Sequence, residues 1–380
     1  MNDRYKERRD RLVEILRKKN IDAAIITSWP SICYFSGQRS IGTITNSWSS
    51  WALLISDQNE LLFVCTRAFS KMMDKEYPSI PTIPFSEDAL IWPNRSVHEA
   101  IKEGLISLCK NIKEPTFGVE KNRISSSYLD SLREHFSTVE IKPIDDEVTN
   151  LRSIKDEDEI SELKKAGTIT NQVAEQVIHN YLSPGMTEFD LERVLIRTIA
   201  EHKAFPAFIQ IFSGERSCYQ NICPSNRKIE KGDTILLDFG VRVESGYCSD
   251  ITRAAVIGKP DKAQLEISKV VKDILTSALE SIEPGKSAAD IDRFVESKFL
   301  KLGYENHYIH RTGHNVGLEP SEPFPICGAN EKDIVQPNMC FAIEPGIYID
   351  NVGIRLEDNV ITTEKGIENL TSIQHTIISV

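Results

Sequence analysis

The sequence has no long hydrophobic run and no excess of positive charge, and both absences exclude classes of protein. It contains no stretch of about 18 apolar residues, the length that a helix needs to span a lipid bilayer. Lys and Arg number 45 against 56 Asp and Glu, which gives a formal net charge of −11. This surplus of acid disfavours nucleic-acid backbones and anionic membrane surfaces as partners. We therefore expect a protein that binds neither nucleic acid nor membrane.

Targeting signals and redox motifs are also lacking. The start of the chain, MNDRYKERRDRLVEIL, has no apolar core of the signal-peptide kind, and its acidic residues argue against a transit peptide. None of the eight cysteines forms a C-x-x-C pair, and eight in 380 residues is an ordinary frequency. We expect these thiols to be reduced and inert, and the protein to be cytoplasmic.

The length of the chain, 380 residues, corresponds to two or three domains at about 100–200 residues each. Near the start, the apolar segment 22–27 is typical of a buried strand, and 51–56 and 61–66 are typical of a hairpin. Such strands alternate with helical segments, which indicates a small α/β domain over residues 1–150. The charged helical segment that follows marks the start of a second domain over residues 151–380.

A sequence pattern occurs twice in the second part of the chain, at an offset of 100 residues. Residues 184–193 and 284–293 both fit P-G-x-(S/T)-x-x-D-(L/I)-(D/E)-R. In each copy the hydroxyl residue, Thr187 or Ser287, is a good N-cap and predicts the start of a helix.

A second repeat follows in the same order and suggests a duplicated helix-plus-hairpin unit. Residues 234–257 and 340–362 are both typical of β-hairpins. Two repeats in one order indicate a domain with a pseudo-twofold axis. Each hairpin carries one acid early in its first strand and one near the middle of its second, namely Asp238 and Asp250, and Glu344 and Glu357.

Carboxylates on apolar strands need a compensating partner. Asp238 and Glu344 each follow three apolar residues, where an ionised carboxylate is costly without a cation or hydrogen bonds. A single acid is satisfied by a turn or by an arginine such as Arg253 or Arg355. Four acids that converge near a pseudo-twofold axis repel one another strongly without a cation. A pair of divalent metal ions about 3.5–4 Å apart removes this repulsion.

A histidine is the fifth candidate ligand. His314 is flanked by Gly313 and Gly317, which allow the backbone to approach a site closely. One imidazole and four carboxylates form an oxygen-rich set that suits Mn, Co, Fe or Zn and needs no cysteine. The predicted metal ligands are Asp238, Asp250, His314, Glu344 and Glu357.

These segments resemble the creatinase/aminopeptidase P/prolidase family of Xaa-Pro peptidases. The resemblance implies an α+β chain, in which a creatinase-like α/β domain precedes a catalytic pita-bread domain with an internal pseudo-twofold duplication. It also implies a homodimer and a small peptide or amide substrate. The matching segments are LLDFG (236–240), GYCSDITR (246–253), RTGHNVGLEPSEPF (311–324), FAIEPGIY (341–348) and GIRLEDN (353–359).

The resemblance also implies a role for each ligand. Asp238 chelates one divalent ion, and His314 and Glu344 bind the other. Asp250 and Glu357 bridge the two ions, for which Mn is favoured. Glu344 is also a catalytic residue that accepts a proton from the attacking water. The residues implied to orient these ligands are Thr252, Tyr348 and Arg355.

Two positions depart from the pattern of the peptidases. The family has a cleft histidine 17 residues before the first metal aspartate, where this chain has Asn221. A second cleft histidine of the family lies seven positions after the metal histidine, where this chain has Ser321. A third is retained here as His310. Asn221 and Ser321 keep hydrogen-bond donors without positive charge. We expect His310 to be catalytic, and the substrate contacts to be Asn221, Ser321, His310 and Arg355.

The missing imidazoles bear on the substrate, because losing one such donor can cost about 10²–10³ in rate. We expect a dinuclear-metal hydrolase of a peptide or amide C–N bond, poor on Xaa-Pro peptides and acting on a non-standard substrate. The first alternative is a true Xaa-Pro dipeptidase or aminopeptidase. Two further alternatives, a metal-free amidinohydrolase like creatinase and a non-catalytic binding homologue, fit poorly with five intact ligand positions.

Overall fold

The computed structural model describes residues 3–39, 51–86, 95–110, 112–328 and 332–380. The chain separates into two units, Met1–Arg152 and Ser153–Val380. The division falls at the end of a helix, Asp145–Ser153, whereas the sequence suggests a boundary after residue 150. Both units combine helices with sheets, which confirms the α+β class. No helix of the described residues is long and apolar enough to cross a membrane.

The first unit is built on a mixed six-stranded sheet. Its strands β1 and β2 are buried along their whole length, as expected for short continuous apolar runs covered on both faces. β2 and β3 form the predicted antiparallel hairpin, whereas β1 pairs in parallel with β5. The sheet has the order β4-β3-β2-β1-β5-β6, with β1 (Ala23–Ile26), β2 (Ala52–Ser56), β3 (Leu61–Thr66), β4 (Thr82–Phe85), β5 (Thr116–Val119) and β6 (Glu140–Pro143). Its helices are α1 (Asp3–Lys18), α2 (Trp29–Ser36), α3 (Arg67–Glu76), α4 (Val97–Leu108), α5 (Ser126–His135) and α6 (Asp145–Ser153).

The second unit contains two helix pairs that correspond to the repeated sequence pattern. Thr187 and Ser287 are the N-caps of the second helix of each pair, as predicted, and each forms a capping box with an aspartate three residues on. Gly185 and Gly285 precede them with φ of 88° and 91°, a conformation that favours glycine. The helices are α7 (Glu157–Asn180), α8 (Glu188–Glu201), α9 (Lys262–Ser281) and α10 (Ala288–Leu302).

Two sheets of the second unit carry the predicted hairpins. The first sheet has the order β17-β9-β8-β7, with β7 (Phe205–Ser213), β8 (Thr234–Arg242), β9 (Ile251–Val256) and β17 (Ile378–Ser379). The second has the order β11-β10-β12-β15-β16, with β10 (Gly313–Asn315), β11 (Glu322–Cys327), β12 (Cys340–Ile343), β15 (Asp358–Thr363) and β16 (Gly366–Asn369). β8 pairs antiparallel with β9, as predicted for the first hairpin.

The second predicted hairpin is more elaborate than the sequence suggests. β12 pairs antiparallel with β15, and between them β13 (Gly346–Ile349) and β14 (Val352–Arg355) form a separate two-stranded sheet. Pro345 stands between β12 and β13, and its missing N–H and fixed φ end the first strand. The single hairpin predicted over residues 340–362 is therefore wrong in this detail.

The side chains of β8 point alternately to two hydrophobic cores, and Asp238 lies on one of these two faces. Ile235, Leu237 and Phe239 are fully buried in a core that includes residues of α7 and α8. Successive side chains of a strand point to opposite faces, so Leu236 and Asp238 share the other face. Leu236 packs there in a second core with residues of α9, α10 and β12.

Candidate metal centre

The four predicted acids lie within or directly beside strands of the two sheets. Asp238 lies within β8, and Asp250 immediately precedes β9. Glu344 immediately follows β12, and Glu357 immediately precedes β15. All four line one cavity together with His314, so the structure brings the five predicted ligands into one place.

His314 reaches this cavity from β10, which lies against β12. The two strands are antiparallel, and His314 is opposite Ala342. Glycine is required beside it, because a Cβ on Gly313 would lie 1.9 Å from the Ala342 carbonyl oxygen. The close backbone approach at Gly313 is to the neighbouring strand β12.

The ring of His314 presents a free lone pair to the acids. Its Nδ1 lies 3.2 Å from the carbonyl oxygen of Asn315, which can only accept, so Nδ1 carries the proton. Nε2 lies 3.6 Å from Oδ2 of Asp250 and 3.7 Å from Oε1 of Glu344. Burial lowers the pKa of His314 to about 4, so the ring is neutral at neutral pH.

Burial and mutual repulsion raise the pKa of the acids. The pKa values of Asp250 and Glu357 are well above their usual range, first because of burial and then because of neighbouring carboxylates. Burial also raises the pKa of Glu344 to about 7, with a smaller contribution from Asp238 and an opposing one from Arg355. The cluster is therefore unfavourable when fully ionised without a cation.

A divalent cation fits among these groups. One ligand atom each of Asp250, His314 and Glu357 lies within 4.8 Å of the other two. Oδ1 of Asp250 is buried and has no hydrogen-bond partner among the described residues. A buried carboxylate oxygen without a donor is rare in native proteins. Imidazole nitrogen and carboxylate oxygen together suit a divalent transition ion.

Arg355 supports the ligands from behind the cavity. It is 2% exposed and is not among the described residues that line the cavity. Its Nη2 pairs with Asp238, and its Nε donates to the Thr252 hydroxyl at 3.1 Å. That hydroxyl donates to Oε2 of Glu357 at 2.8 Å, and Nη1 of Arg355 donates to the Tyr348 hydroxyl at 2.8 Å. These donors face the protein, and the substrate contact expected of Arg355 stays a prediction.

His310 lines the cavity with both ring nitrogens engaged. Its Nδ1–H donates to the Arg311 carbonyl oxygen at 2.9 Å, and its Nε2 accepts from the Tyr348 hydroxyl at 2.7 Å. Burial, together with the charge of Arg355, lowers the pKa of His310 to about 4. The neutral ring therefore has no free N–H, and a contact with substrate requires Tyr348 to release Nε2.

Asn221 and Ser321 also lie in this cavity, which has a volume of about 530 Å³. Asn221 has a φ of 54°, a left-handed conformation that asparagine tolerates better than most residues. Both side chains are exposed and present donors to the cavity.

Sequence reasoning missed part of the cavity wall. Gln210 faces Asp238 across the β7–β8 pair, so the register of that pair is the signal that could have found it. Arg311 is next to His310 and could have been found from that adjacency. The missed residues that line the cavity are Phe208, Gln210, Gln220, Arg311 and Pro320.

Known proteins resemble this chain in fold and in sequence over nearly its whole length. Residues 8–154 match the creatinase/prolidase N-terminal domain, and residues 161–364 match metallopeptidase family M24. The Xaa-Pro dipeptidase of Pyrococcus furiosus is 30% identical over 98% of this chain and 100% of its own. An X-Pro aminopeptidase from Thermotoga maritima has a TM-score of 0.86 at 28% identity, covering 98% of this chain and 99% of that one. A prolidase from Thermococcus sibiricus has a TM-score of 0.88 at 26% identity, covering 99% of each chain. The chain therefore belongs to metallopeptidase family M24 and carries the creatinase/prolidase N-terminal domain.

Proposed function

We propose that this protein is a metal-dependent Xaa-Pro dipeptidase. The observation that carries this proposal is the convergence of four acids and one imidazole, from two sheets, on one cavity. A relative named Xaa-Pro dipeptidase, 30% identical over 98% of the chain, supports the same activity. Of the expectations drawn from the sequence, a true Xaa-Pro dipeptidase is thus better supported than a non-standard substrate.

Five residues would hold two divalent ions, for which we favour Mn. Asp250 and Glu357, 5% and 2% exposed, are the most buried of the four acids and are the proposed bridging ligands. Bound ions would polarise the scissile carbonyl and lower the pKa of water. The set comprises Asp238, Asp250, His314, Glu344 and Glu357.

Glu344 is the proposed proton acceptor. Its side chain is 19% exposed, against 11% for Asp238 and 7% for Asp250, so it faces the cavity most openly. Its carboxylate would take a proton from the attacking water and deliver it to the nitrogen of the leaving group. The nitrogen of an Xaa-Pro bond carries no hydrogen and leaves as a protonated amine, so this delivery is needed for cleavage.

The remaining cavity residues would position the substrate. The amide of Asn221 and the hydroxyl of Ser321 can donate to substrate oxygens. Once the hydroxyl of Tyr348 turns away, Nε2 of His310 would accept a hydrogen bond from an N–H of the substrate. Arg355 would keep Asp238 and, through the Thr252 hydroxyl, Glu357 in place.

Proline release from Ala-Pro tests this proposal. We expect chelator-treated protein to be inactive, and added Mn²⁺ to restore hydrolysis. His314→Ala should lower kcat/KM by at least about 100-fold, since it removes a ligand. His179→Ala, at an exposed position of α7, is the matched control and should retain activity. Folded, Mn-loaded protein that hydrolyses no Xaa-Pro dipeptide would contradict the proposal.

A hydrolase of another small amide is the second candidate, and Asn221 and Ser321 favour it. Their neutral side chains stand where the resemblance implies imidazoles, so the cavity has fewer groups that titrate near neutral pH. A screen with Mn²⁺, Co²⁺ and Zn²⁺ over N-acyl amino acids, guanidino compounds and cyclic amidines tests it. Turnover of one of these far above that of Ala-Pro would favour this second candidate.

A further inference from the structure

The cavity carries a marked imbalance of charge. Four of its lining residues are the acids of the candidate metal centre. Among the described lining residues, Arg311 is the one that bears a permanent positive charge.

The guanidinium of Arg311 has no ion-pair or hydrogen-bond partner among the described residues. Arg355 is the informative contrast, because it is buried and bonded to Asp238, Thr252 and Tyr348. Arg311 is exposed at the cavity, and only its backbone carbonyl is engaged, by His310. A guanidinium whose N–H donors are not engaged by the protein can bind the carboxylate of a ligand through two parallel hydrogen bonds.

Arg311 is also close enough to the reacting groups to bind the same small molecule. It lines the same cavity of about 530 Å³ as Glu344. It directly follows His310 in the chain, and Ser321 lines the same cavity. A substrate with its scissile bond at Glu344 therefore has Arg311 within reach of its adjacent groups.

We propose that Arg311 binds the free carboxylate of the substrate, with Ser321 and Asn221 as neutral donors beside it, and so selects dipeptides over longer Xaa-Pro peptides. This inference rests on the proposed function. In an Xaa-Pro dipeptide the carboxylate is one carbon from the leaving nitrogen, whereas a longer peptide has a neutral amide there. Phe208 and Pro320 offer apolar surface for the ring that joins these two groups.

Steady-state kinetics on Ala-Pro and its uncharged analogue Ala-Pro-NH₂ test the inference. The Mn-loaded wild type should prefer Ala-Pro by at least about tenfold, because a charge-assisted hydrogen bond is lost with the amide. Arg311→Gln should lower kcat/KM for Ala-Pro by about 100-fold, mainly through KM. Its effect on Ala-Pro-NH₂ should be at least about tenfold smaller, and Arg311→Lys should recover part of the loss on Ala-Pro.

Arg197→Gln is the matched control, since Arg197 is an exposed arginine of α8 paired with Glu201 at 3.7 Å. It changes the net charge equally and should leave both kinetic constants near the wild-type values. An equal loss of activity on both substrates in Arg311→Gln would overturn the inference and indicate a general electrostatic role. Equal turnover of both substrates by the wild type would overturn it as well.

Failure of the proposed function gives a different result. If folded, Mn-loaded protein hydrolyses neither substrate, the dipeptidase assignment fails, and calorimetric titration with N-acetylproline and N-acetylprolinamide still tests Arg311. Stronger binding of the acid, lost in Arg311→Gln but not in Arg197→Gln, supports a carboxylate site. Equal binding of acid and amide by the wild type overturns it.

Discussion

At the scale of single residues, we propose that the two uncharged positions of the cavity, Asn221 and Ser321, limit the rate at which the protein cleaves Xaa-Pro bonds. Asn221 and Ser321 can donate hydrogen bonds, but neither can donate from a charged ring. Arg311 supplies positive charge in the same cavity, and we propose that it compensates in part.

The double variant Asn221→His and Ser321→His tests the importance of these positions. We expect kcat/KM for Ala-Pro to rise by about 10-fold or more, because a well-placed donor to a developing oxyanion is worth about 10²–10³. Histidine is compatible with the left-handed φ of 54° at position 221. Proline release at saturating Mn²⁺ measures the change. If activity on Xaa-Pro substrates does not increase, the two side chains do not limit this reaction.

The residues of the centre were predictable to different degrees. Asp238 and Glu344 stand out in the sequence because an ionised carboxylate on an apolar strand costs free energy unless a cation or hydrogen bonds compensate it. Arg311 does not stand out, because an arginine in a polar loop is usually solvated, and its value depends on which side chains surround it. Arg355 was predictable as a support for ligands, but its burial behind the cavity depends on the β13–β14 hairpin that carries it.

At the scale of elements, the contact between β10 and β12 holds His314 against the acids. The two strands approach so closely that a methyl group on Gly313 would lie 1.9 Å from the carbonyl oxygen of Ala342. Substitution must therefore separate the strands and displace His314 with them.

Gly313→Ala should lower both stability and metal affinity. We expect a loss of about 2–4 kcal/mol in the free energy of unfolding, typical of overpacking and broken pairing. Mn²⁺ affinity should fall by at least about tenfold, because His314 moves away from the acids. Denaturant unfolding and calorimetric titration with Mn²⁺ measure the two effects.

Gly303→Ala separates backbone strain from this steric effect. Gly303 caps α10 at a φ of 78°, and no atom lies within 4 Å of a Cβ placed there. It should cost about 1 kcal/mol for the left-handed conformation and leave Mn²⁺ affinity intact. Unchanged Mn²⁺ binding in Gly313→Ala would show that the β10–β12 contact does not position His314.

Helix starts and strand order differ in how far sequence predicts them. Thr187 and Ser287 are found from sequence because capping depends on residues only three positions apart. The pairing of β12 with β15 across an inserted hairpin depends on contacts between residues far apart in the chain. Pro345 is the one local signal of the interruption.

At the scale of the whole molecule, the acidic cluster links stability to pH and to metal. Asp250 and Glu357 hold protons in the folded metal-free protein at pH values where the unfolded chain has released them. The folded state then binds more protons than the unfolded state, so stability falls as pH rises. His310 and His314, with lowered pKa values, have the opposite effect, but only below about pH 6.5.

The metal-free protein should therefore lose stability from about pH 7 to about pH 8, the range in which folded Glu344, with a pKa of about 7, releases its proton. Mn²⁺ should stabilise the protein more at the higher pH. Asp250→Asn should show a shallower decline, since it removes one of the coupled carboxyls. Asp273→Asn, at an exposed position of α9, should decline as the wild type does. Chemical unfolding at each pH measures these slopes. A rise in stability of the metal-free wild type over this range would show that the acids are not held protonated.

The most direct test of the central claim is the number of Mn²⁺ ions bound per chain at saturation. The protein is stripped with a chelator, dialysed to equilibrium against Mn²⁺, and its metal content is measured by elemental analysis. We predict two ions per chain for the wild type and fewer than two for Glu357→Gln, which removes a proposed bridging carboxylate. A folded wild-type protein that binds no Mn²⁺, Co²⁺, Fe²⁺ or Zn²⁺ would contradict a metal centre formed by these five residues.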